Sequence, residues 1–160
     1  MATQTIYHVA LVTHIIGLTM MAGTTLVDFI IFKQFWKQLA IDRQKAIAIR
    51  QATAKITRLF GLGFLFLLIS GITMMGITHG VFGEQLWFRV KFVFILAIVI
   101  NGLLFGRRQG LKLKKLLSEE GAGEGISTRF AIVKRNLNWV HLAQMFFFIT
   151  IFTLSVFKFN

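Results

Sequence analysis

Leu59-Phe60-Gly61-Leu62-Gly63-Phe64-Leu65-Phe66-Leu67-Leu68-Ile69-Ser70-Gly71-Ile72-Thr73-Met74-Met75-Gly76-Ile77 runs for 19 residues without a charge. As a helix rising 1.5 Å per residue it reaches about 28 Å, close to the thickness of a bilayer's hydrocarbon. A soluble chain would have to cover such a segment with polar surface. At 160 residues, 56% apolar and only 15% charged, this one has little to offer. Its composition lies outside the soluble globular range, and the membrane class follows before any motif is considered.

Outward from that run, three more apolar stretches complete a set of four spans, at about residues 7–32, 58–78, 87–106 and 137–157. The reading is a single all-α membrane domain over residues 1–160, an integral four-helix bundle. The third stretch has the shortest apolar core, so Arg89 and Lys91 must snorkel or point inward while Trp87 marks the interface. Fifteen of the 18 Lys and Arg fall between spans one and two or between spans three and four, leaving Arg89, Lys91 and Lys158 for the other side. By the positive-inside bias, the two long basic connections are cytoplasmic and both termini face out, on the periplasmic side of a bacterial inner membrane.

The net charge of +12 therefore needs no nucleic acid, because anionic headgroups account for it. The absence of cysteine excludes disulfides, thiolate chemistry and iron–sulfur ligation. The first span is long enough to stay as a membrane helix rather than serve as a removed signal. Apolar residues recur at helical spacing through Lys37 to Lys55, so helix continues there beyond the bilayer or along its surface. Helix also begins the second connection at Gly110 to Leu117, and Gly121 to Gly125 marks a loop. The short outer link from Thr78 to Leu86 makes spans two and three antiparallel neighbours.

An imidazole inside the first span, His14, carries the functional question. On a helix turning 100° per residue, Gly17, Leu18, Met21, Thr25 and Asp28 share its stripe, and such polar residues face a bundle interior rather than lipid. Four roles compete for His14: a structural hydrogen bond to a neighbouring helix, axial ligation of haem iron with Gly17 admitting the porphyrin plane, a copper site with methionine, and a proton path. It lies about 12 Å below the outer face at helical rise.

Its partner stays open between His79, a methionine such as Met21, Met74, Met75 or Met145, and no protein ligand. His79 returns to the outer level and approaches His14 if the second helix continues through Thr78. His141, near the cytoplasmic face, is the fourth-helix alternative, and His8 points away. Lys91, four residues into the third span, either snorkels or sets its ammonium beside a haem propionate or another anionic group. Asn101 suits a bridge between helices. Asn138, His141, Gln144 and Met145 form a polar side of the fourth helix, either a second site or a hydrogen-bonding face. Small residues along the spans, Gly17, Gly63, Ser70 and Gly71 among them, allow close helix approach or make room for a flat cofactor.

The segment from His14 to Phe32, containing His-Ile-Ile-Gly-Leu-Thr-Met-Met-Ala-Gly, resembles the first membrane helix of the HemJ-type protoporphyrinogen oxidases and related CopD-like small membrane proteins. Trp87 to Arg108, with Lys91 near its start, resembles that family's third helix. The resemblance implies a haem-b-binding bundle with His14 as the first-helix histidine and Lys91 as the third-helix lysine. It also implies oxidation of protoporphyrinogen with an external electron acceptor. Asn101 stands where the oxidase-like third helix often has histidine, and the fourth span lacks a proline-containing entry. The leading expectation is thus a haem-b membrane protein in electron transfer or haem-linked redox chemistry, with a quinone or membrane electron-transfer partner. Copper or small-ion transport, with a homodimer expected, and a structural assembly role are the alternatives.

Overall fold

The computed structural model describes residues 2–118 and 126–157. Every regular element in them is helical: α1 (Ala2–Leu39), α2 (Arg43–Ile77), a 3₁₀ turn (Val81–Glu84), α3 (Leu86–Ile100), a π segment (Asn101–Gly106), α4 (Arg107–Ser118) and α5 (Ile126–Val156). A chain without proline meets no residue that removes a donor from a helix interior. Four stretches are long and apolar enough to cross a membrane: Ala2–Leu39, Arg58–Ile77, Leu86–Ser118 and Ser127–Val156. Large apolar side chains such as Ile72, Leu103 and Ile149 are more than 60% exposed along them, as suits helices solvated by lipid.

The chain forms two compact units, one of residues 1–90 with 154–160 and one of residues 91–153. In the first, α1 and α2 pair as a helical hairpin whose only non-helical link is Ala40–Ile41–Asp42. The expected long basic connection is therefore mostly helix, and its lysines and arginines ride on the ends of α1 and α2. At 38 residues, α1 is about 57 Å long, so it outruns a bilayer by roughly half its length.

Asp42 starts α2: its carboxylate accepts from the backbone N–H of Gln44 at 2.9 Å and of Lys45 at 3.1 Å. Those bonds, the Lys45 N–H foremost, hold its pKa below the ordinary carboxylate value because they favour the charged form. Farther along α2, Arg50 is half-buried. Desolvation lowers its pKa and the Asp28 carboxylate of α1 opposes that shift.

The seam of the hairpin follows three- and four-residue steps. On α1 it runs through Ala10, His14, Gly17, Met21, Thr25, Asp28, Phe32 and Phe35, and on α2 through Phe60, Gly63, Leu67, Ser70, Met74 and Ile77, each buried or half-buried. Such spacing keeps one face of a helix turned toward a single partner. At the crossing the backbones nearly touch. A Cβ placed on Gly17 would lie 2.8 Å from the Gly63 carbonyl oxygen, and one on Gly63 would lie 2.8 Å from that of Gly17.

In the second unit the expected bridge by Asn101 is present. Its amide Nδ2 donates to the Val140 carbonyl at 2.9 Å and to Gln144 Oε1 at 2.8 Å on α5. Both amides are buried, so each supplies what the other would lose by leaving water. Phe94 and Phe147 stack with centroids 5.9 Å apart. Asn101 also opens the π segment, and the helix runs without interruption from Leu86 to Ser118. The helix expected over 110–117 is thus a continuation of the third span; the loop expected at 121–125 and Lys158 lie outside the described residues.

Candidate functional site

His14 occupies the α1 side of the hairpin seam, half-buried, opposite Ser70 of α2. Its ring Nδ1 lies 2.9 Å from Ser70 Oγ. Ser70 is 2% exposed, and its Oγ sits 2.5 Å from the Phe66 carbonyl oxygen, one turn back on its own helix. Two oxygens that close must share a proton, and a hydroxyl has only one. Ser70 therefore donates to Phe66, and Nδ1–H of His14 donates to Ser70. This tautomer puts the ring's lone pair on Nε2.

The next residue of α2, Gly71, lies beside the ring. A Cβ built on it would lie 3.7 Å from His14 Cε1, an ordinary contact distance, so a methyl group would fit between the two. The hydrogen bond at Nδ1 orients the imidazole. Metal-ligating histidines are commonly held in this way, by a second partner on the other ring nitrogen.

Toward the hairpin turn the seam closes. Gly17 meets Gly63 and the backbone of Leu67, so no flat group fits at Gly17; its small size serves helix contact. Met21 is 2% exposed, and its Cγ would be 2.9 Å from a Cβ on Gly63, so its thioether is packed into the same crossing. Thr25 is buried and returns its hydroxyl to the Met21 carbonyl at 2.9 Å. Asp28 lies beyond, beside Arg50. His14 and Asp28 are 14 residues apart, about 21 Å of helix, with the glycine crossing and Met21 between them. A chain of polar stations along this stripe is therefore interrupted by apolar packing.

Within the first unit, His79 and His8 do not join His14. The condition for His79 to approach it is not met: α2 ends at Ile77, Thr78 caps it, and His79 turns the chain with φ 51°. His79 is exposed, and Ile77 is already about 10 Å of helix rise beyond Ser70. Met74, one turn beyond Ser70 on the same stripe, is half-buried, while Met75 is exposed. His8 is exposed and stacks edge-on with Tyr7. Lys91 and His141 belong to the second unit, each half-buried. Among the described residues no group of three or more His, Cys, Asp or Glu side chains is placed to hold a metal ion.

Ser70 is the residue that sequence reasoning undervalued, counting it only among the small residues of the spans. Its signal was in the pattern: it falls on the three-and-four-step stripe of α2 with Gly63 and Leu67. A hydroxyl on the packed face of an apolar helix can donate to its own helix and still accept from across the seam.

The fold and the site together define a multi-span helical membrane protein. Comparison with family models, with curated proteins and with solved structures gave no match.

Proposed function

We propose that this chain is a haem-b-binding membrane protein of the HemJ-type or CopD-like kind, in which His14 supplies an axial ligand through Nε2. The observation that carries the reading is the hydrogen-bond chain from His14 Nδ1 to Ser70 Oγ to the Phe66 carbonyl. A ring held at Nδ1 in an apolar seam, where an imidazole otherwise has a high desolvation cost, supports a role for Nε2 as a ligand. The fit is to one ligand; Gly17 and Met21 support the helix crossing below it.

Bound haem would supply one-electron chemistry, suited to electron transfer or to oxidation of a porphyrinogen with a quinone-like acceptor. The chain's own part is to hold the ligand nitrogen. Ser70 accepts a hydrogen bond from Nδ1–H and so orients the ring. The resemblance gives Lys91 the role of pairing with a carboxylate of cofactor or substrate. The bundle arrangement, termini on the outer face and a bacterial inner membrane belong to the same proposal, supported by the distribution of Lys and Arg.

Titrating haem into the purified apo protein tests it. Wild type should develop a Soret band at one haem per chain, His14→Gly should not, and added imidazole should restore the band to His14→Gly. Equal spectra for wild type and His14→Gly would remove the proposal. A structural role is the second reading, favoured by the packing of Gly17 and Met21 into the crossing. In that case His14→Ala lowers stability and changes no chromophore.

A further inference from the structure

The outward face of α4 carries a basic row that the haem reading does not use. Between 107 and 118 the sequence has five cations, Arg107, Arg108, Lys112, Lys114 and Lys115, and no acidic residue. All five are exposed, whereas Leu113 and Leu116 on the opposite face are 1% and 7% exposed. Leu104, Arg108, Lys112 and Lys115 follow at steps of four, four and three, which places them in one row along the helix. Leu103, Arg107, Leu111 and Lys114 make a second row beside it.

Each row begins apolar and turns cationic within about one turn. Leu103 and Leu104 are 61% and 54% exposed at the end of an apolar span, the surroundings of acyl chains. The helix continues without a break, so Arg108, Lys112 and Lys115 stand about 6, 12 and 16 Å beyond Leu104. A headgroup layer is only about 5–7 Å deep on each side. Side-chain direction resolves the mismatch: in a helix every Cα–Cβ bond tilts toward the N-terminus, which for α4 is the membrane side. The long lysine stems therefore reach back toward the headgroups.

We propose that the Leu104–Arg108–Lys112–Lys115 row binds an anionic phospholipid, its acyl chain against Leu103 and Leu104 and its phosphate held by the three cations. The order of the row selects lipid over a soluble polyanion, because the apolar contact and the cations belong to one continuous strip. Four-apart like charges also repel one another within α4, a strain that a bound anionic headgroup relieves. This proposal is independent of whether haem binds.

The test is native mass spectrometry of the purified full chain with phosphatidylglycerol, and with phosphatidylcholine of the same acyl chains. The combined variant Arg108→Gln, Lys112→Gln, Lys115→Gln should weaken the phosphatidylglycerol adduct on the order of a hundredfold and leave phosphatidylcholine unchanged. A control with Lys37→Gln, Lys45→Gln and Arg58→Gln should change it less than about threefold. Should the triple variant lose helix content, Lys112→Gln alone should still weaken the adduct about fivefold. Equal losses in row and control variants overturn the proposal. So does displacement of the lipid by inorganic phosphate or by a single-stranded RNA.

Discussion

Gly17→Ala places a methyl group where the two backbones of the hairpin already meet. The added Cβ would lie 2.8 Å from the Gly63 carbonyl oxygen, 2.9 Å from the Leu67 nitrogen and 3.0 Å from Phe66 Cβ. Two of those atoms are backbone, so no rotamer change relieves the clash. The helices must part by about half an ångström, which loosens the seam around Met21 and the bond between His14 and Ser70. Overpacking of a close contact costs about 1–3 kcal/mol. Gly63→Ala meets the Gly17 carbonyl at the same 2.8 Å and Met21 Cγ at 2.9 Å, and the same separation accommodates both methyl groups. The double variant should thus cost well under the sum of the singles. Gly61→Ala, where nothing lies within 4 Å of an added Cβ, should be neutral or slightly stabilising. Reversible unfolding in mixed micelles, followed by circular dichroism, measures all four. Gly17→Ala within about 0.3 kcal/mol of wild type, or strictly additive singles, would refute the close crossing.

Ser70→Ala removes the acceptor of the His14 Nδ1–H; ¹⁵N shifts of the imidazole should change from one tautomer to a mixture, and haem affinity should fall about 10–100-fold. An unchanged tautomer would show that Ser70 does not set it. Asn101→Leu leaves Gln144 Oε1 without its donor, and a double-mutant cycle with Gln144→Leu should give a coupling of about 1 kcal/mol; a coupling of zero contradicts the buried amide pair. Asp42→Ala should destabilise the α1–α2 hairpin at neutral pH. Because the folded pKa of Asp42 is depressed, its contribution is present above the unfolded value and fades as pH falls through the folded one. Wild type and variant should therefore converge in acid, and a gap that persists there would mean the carboxylate is not the cap.

Hydropathy alone located four spans, because nineteen uncharged residues in a row leave a chain few options and the lack of proline leaves few places to stop. The helical nature of residues 37–55 was legible in their spacing, but the three-residue turn ending at Asp42 was not, since the acid that caps α2 stands among basic residues that read equally well as a surface helix. The site divided in the same way. His14 stood out because its burial must be compensated, whereas Ser70 passed as one small residue among many; only the pairing of two helices, set by Gly17 against Gly63, puts them opposite each other. His79 is exposed for a local reason. A helix that stops at Ile77 turns that side chain into an exposed corner, and no periodicity in the sequence marks the stop. The π segment that opens at Asn101 left no trace in the pattern either.

The reduced-minus-oxidised absorption spectrum of the purified full chain, expressed with ample haem and recorded beside His14→Ala, tests the central claim most directly. The account predicts Soret and α bands of a b-type haem in wild type and their loss in His14→Ala with helix content unchanged. A wild-type protein without a Soret band, or a His14→Ala spectrum identical to wild type, contradicts it.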